Sequence, residues 1–168
     1  MTPSRYLFKL LFLNLFLAAT VVGVGQGGPF KHYPAGDVVS IQLERTPCFG
    51  ACPVYHVTLH PDGTLIYEGT RFVDRKGKWS ANYSAEDFGR LVALAKKLNF
   101  DSFNKSYRVA VTDQATQIVT VERRKTTKKV TEYGPSGPVG LWTMETVIDG
   151  IVAKASDWKQ VPALRGKD

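Results

Sequence analysis

Cys48 and Cys52 are the only two cysteines in the chain, and their C-x3-C spacing allows three kinds of chemistry. In an oxidising compartment two nearby thiols usually form a disulfide, and closing so short a loop stabilises the fold by about 2 kcal/mol. Alternatively, the two thiolates and His56, four residues further on, could bind Cu(I) or Zn²⁺. Redox catalysis normally uses C-x2-C at the start of a helix, whereas a strand follows here. We favour the disulfide, keep Cys48, Cys52 and His56 as the alternative metal site, and expect no other cofactor.

Sequence motifs of known catalytic sites are missing. No serine lies in a Gly-x-Ser-x-Gly turn, and only three histidines are available as general bases. No carboxylates stand at a motif-like spacing, and no glycine-rich phosphate loop follows a strand. We therefore predict no catalytic residue and favour a non-enzymatic binding module, with an enzyme whose site surrounds the cysteine loop as a further hypothesis.

The candidate binding residues are mostly basic. Arg123, Arg124 and Lys125 begin a basic hairpin tip that continues to Lys129. Arg45 precedes the cysteine loop, and Asp113, in a polar segment, is expected to cap a turn or to contact a ligand. The net charge of +7 favours anionic partners, of which an envelope component is expected rather than a nucleic acid.

The first 25 residues predict a secretory signal peptide. Arg5 and Lys9 precede an apolar run at residues 10–19, and small residues at 23–25 resemble a cleavage site. An uncleaved membrane anchor is the alternative, although the apolar run is shorter than the roughly 20 residues of a spanning helix. The mature protein, with a charge of +5 once Arg5 and Lys9 are removed, is expected to be periplasmic or extracellular. Any membrane association is expected to be transient or confined to the N-terminus.

Behind this segment the sequence predicts one α+β domain. A Gly- and Pro-rich linker at residues 26–37 leads into the domain at 38–157, and a flexible tail follows at 158–168. Alternating apolar residues predict strands at 38–44, 55–59 and 64–67, with weaker ones at 72–73 and 79–83, and a second hairpin at 118–133. Helical spacing predicts amphipathic helices at about 84–99 and 138–152. We expect a mainly antiparallel sheet of hairpins, with both helices packed on one face, in a monomer.

The sequence RTPCFGACPVY at residues 45–55, followed by PDGTLIYEG at 61–69, resembles a family of exported bacterial domains called domain of unknown function 6438. The segment VTD at 111–113 is also similar to the pattern of this family. The resemblance covers residues 38–155 and implies an envelope or extracellular location. It implies no activity, and it places both cysteines in the loop that defines the domain.

Overall fold

The structure is a computed structural model that describes residues 34–162. The predicted signal peptide, most of the predicted linker and residues 163–168 lie outside this range. Within it the elements are β1 (Val38–Arg45), β2 (Val54–Leu59), β3 (Thr64–Arg71), β4 (Gly77–Asn82), α1 (Ala85–Lys97), a 3-10 helix (Phe100–Ser102), β5 (Ser106–Arg108), β6 (Thr116–Arg123), β7 (Thr127–Tyr133), α2 (Val139–Lys154) and β8 (Ser156–Gln160).

The strands form one eight-stranded sheet in the order β5-β7-β6-β1-β2-β3-β4-β8. Neighbouring strands are antiparallel, except that β5 pairs with β7 in parallel. The predicted α+β class is therefore confirmed, with a mixed and mostly antiparallel sheet. Neither edge strand was predicted, because β5 and β8 are short and lack an alternating apolar pattern.

One row of the sheet shows how the core is built. Ile41 lies opposite Leu59 on one side and Val121 on the other, and all three are fully or almost fully buried. Since side chains alternate across a strand, the next inward position of β1 is Leu43, which lies between Val57 and Val119. Residues of both helices join the same buried cluster: Phe88, Leu91 and Ala95 of α1, and Leu141, Met144, Ile148 and Ile151 of α2. In residues 34–162, no helix has both the length and the apolar character that a membrane span requires.

The predicted hairpin of β2 and β3 is confirmed. The Asp62 side chain accepts hydrogen bonds from the backbone N–H of Thr64 at 2.9 Å and from its hydroxyl at 2.7 Å. Gly63 has a φ of +86°, and a Cβ there would lie 2.6 Å from the carbonyl oxygen of Tyr83. Both conformation and space therefore require glycine at this turn.

One local prediction is wrong. Residues 72–73 form a bend rather than a strand, and Phe72 there adopts a left-handed φ of 53°. The first helix begins where it was predicted, with Ser84 as the N-cap of α1, and the Ser84 side chain makes no capping hydrogen bond. Its carbonyl oxygen instead accepts the N–H of Asp87 at 2.9 Å, so the backbone alone begins the helix.

The end of the domain also differs from the prediction. The flexible tail was expected from residue 158, yet β8 pairs with β4 as far as Gln160. The Trp158 indole N–H donates to the carbonyl of Ala155 at 2.9 Å, and its ring packs edge-on against Tyr67 at 5.8 Å. One anchored aromatic side chain thus holds a strand that has little apolar character of its own.

Candidate functional site: a cleft beside the disulfide loop

Cys48 and Cys52 are joined by a disulfide, as favoured above, with 5.8 Å between their Cα atoms. Their loop, residues 46–53, connects β1 to β2 and is also hydrogen-bonded to the first residue of β6. The N–H of Thr46 donates to the carbonyl of Thr116 at 3.0 Å, and the N–H of Thr116 donates back to the Thr46 hydroxyl at 2.9 Å. Hydrogen bonds therefore fix the start of the loop, and the disulfide fixes its middle.

The structure offers no support for the alternative metal site. Both sulfur atoms are in the disulfide, so neither is a thiolate ligand. His56 lies between Tyr55 and Val57 on β2 and therefore faces away from the buried side of the sheet, where its Nε2 lies 3.1 Å from the Thr58 hydroxyl. Among residues 34–162 no group of three or more His, Cys, Asp or Glu side chains could hold a metal ion.

A cleft of about 530 Å³ lies beside the disulfide loop. Its lining includes both cysteines and Phe49 from that loop, and polar side chains from the segment before β6 and from β6 itself: Asp113, Gln114 and Gln117. The remaining wall comes from the end of β7, the following turn and α2, and contains Glu132, Trp142 and Glu145. The cleft thus gathers residues that are far apart in the chain.

Asp113 joins the cleft through its backbone as well as its side chain. It adopts a left-handed φ of 66°, which an aspartate tolerates better than most residues. Its carbonyl oxygen accepts the N–H of Phe49 at 3.2 Å, so it ties its own turn to the cysteine loop. The Asp113 side chain is exposed, and one of its oxygens accepts the Thr112 hydroxyl at 2.9 Å.

Glu132 is a charged residue in the core. Its side chain is almost fully buried on β7, and Oε1 accepts three N–H groups: the backbone of Ser136 at 2.7 Å, the backbone of Gly137, and the Trp142 indole at 2.6 Å. Three such donors stabilise a negative charge on that oxygen. They also fix the turn between β7 and α2, and with it the start of the helix.

Glu145 lies on α2 beside Glu132 and is more than nine-tenths buried. Its Oε1 has no hydrogen-bond donor within residues 34–162, and Arg45 approaches its Oε2 only to 3.8 Å. Burial, the charge of Glu132 and a hydrogen bond with Glu132 together raise the pKa of Glu145 to about 8. At neutral pH Glu145 therefore keeps its proton.

Arg45 is the centre of a second polar cluster. Its Nη2 donates to Asp149 Oδ2 at 2.7 Å and its Nε to the Tyr55 hydroxyl at 3.0 Å, and that hydroxyl donates to the other oxygen of Asp149. Burial and the hydrogen bond to Asp149 raise the pKa of Tyr55, so its hydroxyl remains a donor. Arg45, a candidate binding residue, is therefore mainly engaged within the protein, although it contacts the cleft residue Glu145.

The remaining candidates lie at the far end of the sheet. Gln117 is near the start of β6 and Arg123 at its end, which places them about 20 Å apart at 3.3 Å per residue. Arg123 pairs with Asp101 at 2.9 Å and is largely buried, whereas Arg124 and Lys125 are exposed at the hairpin tip. Of the five candidate binding residues, only Arg45 and Asp113 are thus associated with the cleft.

Glu132, Glu145 and Trp142 were not singled out from the sequence, although a signal existed for each carboxylate. Glu132 follows Val130 at the inward position of an alternating strand. Glu145 lies four residues after Leu141, within the apolar stripe of α2. A carboxylate at a core position of an otherwise regular pattern indicates a group with a special partner.

A family model described as "Domain of unknown function (DUF6438)" matches residues 39–152, which include the disulfide loop, Asp113 and the two buried glutamates. Searches of curated proteins and of solved structures found no match. Because the matched region covers more than half of the chain, the protein belongs to the DUF6438 family.

Proposed function

We propose that this protein is an exported, non-enzymatic binding module of the cell envelope, which holds its ligand in the cleft beside the Cys48–Cys52 loop. The observation that carries the proposal is the cleft itself. Its volume of about 530 Å³ falls within the range of ligand sites, and it combines aromatic surface with a few polar groups that can orient a ligand.

Export is supported by two features of the chain. Residues 1–25 have the order of charge, apolar run and small residues that is typical of a secretory signal. The disulfide agrees with this, because disulfides persist outside the reducing cytosol. A periplasmic or extracellular protein is the proposal, with an uncleaved N-terminal anchor as its alternative.

We further infer that both helices cover one face of the sheet as amphipathic elements. Buried residues of both helices belong to the same cluster as the inward residues of β1, β2, β3, β6 and β7. With this arrangement α2 supports one wall of the cleft while the disulfide loop forms another. Because both walls are rigid before the ligand arrives, binding loses little conformational entropy of the protein.

The expected partner is an envelope component, bound by a monomer. Arg124 and Lys125 are exposed at the tip of the β6–β7 hairpin and would favour approach to an anionic polymer or surface. Salt weakens such attraction, since the charges involved are in contact with solvent. The cleft provides the specific binding, and the charges of the hairpin only increase the rate at which the protein meets its partner.

The test is co-sedimentation of the native, processed protein with isolated cell envelopes. The Asp113→Ala, Gln114→Ala double variant removes two exposed cleft side chains, and Arg124→Ala, Lys125→Ala is the matched control at the other end of the sheet. The cleft variant should lose at least about tenfold in affinity, equivalent to 1.4 kcal/mol, while the control keeps its affinity at high salt. Equal affinities of wild type and cleft variant, or protein retained in the cytosol, would contradict the proposal.

Catalysis is a second candidate function, favoured by one observation. A protonated Glu145 beside Glu132 resembles the carboxyl pairs whose environments separate an acid from a base. Turnover of an envelope substrate, lost in Glu145→Gln and kept in the exposed control Glu68→Gln, would establish an enzyme. Binding without turnover by the wild-type protein supports the binding module.

A further inference from the structure

The cleft is acidic although the chain as a whole is basic. Three carboxyl groups line it, from Asp113, Glu132 and Glu145, and none of the lining residues within the described part of the chain is Lys, Arg or His. The chain nevertheless carries a net charge of +7. The charge of the residues that line the cleft is therefore opposite in sign to the net charge of the chain.

One carboxyl oxygen of Glu145 is left without a hydrogen-bond partner by the described part of the chain. Glu145 is more than nine-tenths buried and lines the cleft, yet its Oε1 receives no donor from residues 34–162. Glu132 differs from it, because three N–H groups already bind its Oε1. A buried carboxyl without a donor is costly for the protein and is a ready site for a cationic donor.

Arg45 does not supply the missing charge. It lies 3.8 Å from Glu145 Oε2 but makes its shorter contact, 2.7 Å, with Asp149. Asp149 also receives the Tyr55 hydroxyl, so this cluster is satisfied by itself. Within residues 34–162, the carboxyl pair of Glu132 and Glu145 consequently has no full counter-ion of its own.

Two aromatic side chains complete the lining. Trp142 is 39% exposed and its indole N–H is bound to Glu132 at 2.6 Å, which fixes the orientation of the ring. Phe49 is 89% exposed on the disulfide loop. Aromatic faces attract alkylammonium groups and can cover their methylene carbons.

We propose that the cleft binds an alkylammonium group of its ligand, such as the side-chain amine of a lysine-like residue, through the carboxyl of Glu145. This inference rests on the proposed function, since it names the chemical class of the ligand in the same cleft. Asp113 adds a second, exposed negative charge at the cleft, and Trp142 and Phe49 contact the aliphatic part of the ligand.

Binding is coupled to release of a proton. The groups that face Glu145 are Glu132 from β7, Arg45 from β1 and Asp149 one turn further along α2. Because Glu145 keeps its proton at neutral pH, an arriving ammonium ion ionises Glu145 and the displaced proton passes to solvent. One positive charge enters and one leaves, so affinity rises with pH up to about 8, the pKa of Glu145 in the free protein.

Calorimetry on the native, processed protein tests this inference. The probe is acetyl-Gly-Lys-Gly-amide, and the control ligand is the same peptide with norleucine, which keeps the four-carbon side chain of lysine but lacks its amine and its charge. Titrations at pH 6.5 in two buffers of different ionisation enthalpy count the protons released. The lysine peptide should bind at least about tenfold more tightly than the norleucine peptide and release up to one proton. Glu145→Gln should abolish the release, whereas Glu68→Gln, an exposed acid of β3, should keep it.

Folding of the variants is controlled by their melting curves. If Glu145→Gln fails to fold, Asp113→Asn is used instead and must weaken binding of the lysine peptide. The number of protons that the wild-type protein releases then tests whether binding is coupled to proton release. Equal binding of the two peptides, or binding without proton release, overturns the inference.

The inference and the proposed function fail separately. Envelope binding that depends on Asp113 and Gln114, without any affinity for the lysine peptide, leaves the binding module standing and refutes the ammonium site. Affinity for the lysine peptide without envelope binding leaves the ammonium site standing and refutes the envelope module.

Discussion

Glu145 on α2 lies beside Glu132 on β7, and burial together with the charge of Glu132 raises the pKa of Glu145 to about 8. The turn that joins these elements is fixed by Glu132 itself, through the N–H groups of Ser136 and Gly137. The same residue therefore positions the helix and adds to the effect of burial on the pKa of its neighbour. Folding and the chemistry of the cleft are linked through this one contact.

Removal of the disulfide should lower stability without changing the fold. In the Cys48→Ser, Cys52→Ser double variant the unfolded chain regains the entropy of an open loop, which corresponds to about 2 kcal/mol. The melting temperature should fall by about 4–8 °C for a domain of this size. Thermal unfolding followed by circular dichroism measures the change. Reductant should lower the melting temperature of the wild type by a similar amount and leave that of the variant unchanged; an equal response of both proteins would be inconsistent with a stabilising crosslink.

The stability of the protein should depend on pH through Glu145. Its pKa rises from the ordinary 4.5 to about 8 on folding, so within this window the folded state holds a proton that the unfolded chain has released. The free energy of unfolding therefore falls as pH rises through this window, by at most about 1.4 kcal/mol per unit, and the full benefit of the proton is present only below pH 4.5. Urea unfolding at several pH values, compared between wild type and Glu145→Gln, isolates this contribution. Parallel pH profiles of the two proteins would rule it out.

The three hydrogen bonds to Glu132 predict a graded series of variants. Glu132→Gln keeps an oxygen acceptor and should cost less than Glu132→Leu, which leaves the N–H groups of Ser136, Gly137 and Trp142 without a partner, at about 1–3 kcal/mol for each buried donor. Chemical denaturation measures the free energy of unfolding of each variant and so gives their order of stability. Trp142→Phe removes only the indole donor and should fall between wild type and Glu132→Leu. A Glu132→Leu variant as stable as the wild type would show that these bonds do not hold the turn.

Arg45 should matter for stability more than for direct ligand contact. Arg45→Lys keeps the charge but loses the geometry that reaches Asp149 and the Tyr55 hydroxyl together, at a cost of about 1–2 kcal/mol. A double-mutant cycle with Asp149→Asn measures the coupling of the two side chains. Additive effects in that cycle would mean that the pair contributes nothing beyond its separate residues.

The basic hairpin should separate into structural and solvent-exposed charges. Arg123→Ala removes a largely buried side chain and its contact to the exposed Asp101, and should lower the free energy of unfolding by about 0.5–1 kcal/mol. Lys125→Ala should change it by less than about 0.5 kcal/mol, because Lys125 is exposed. Binding to an anionic polymer at low salt should show the reverse order. Equal effects of the two variants on both measurements would contradict this division.

Local features of the domain were predictable because they depend on neighbours in sequence. Asp62 and Gly63 specify the β2–β3 turn by their own side-chain chemistry and backbone freedom, and the alternation of Ile41 and Leu43 marks the inward face of β1. The edge strand β8 could not be recognised in this way. Its position depends on Trp158 packing against Tyr67, a contact between distant parts of the chain.

The sequence by itself determined the α+β class, most strands, both helices and a pair of cysteines close enough to be joined, because these follow from periodicity and short-range spacing. Only the tertiary structure decided that Asp113, Glu132 and Glu145 line one cleft with the disulfide loop, and that Arg123 lies at the other end of the sheet. The pKa of Glu145 belongs to the second group, since it arises from burial and from a carboxylate on another element. Interactions through space between distant residues have no signature in local spacing, and the candidate site consists almost entirely of such interactions.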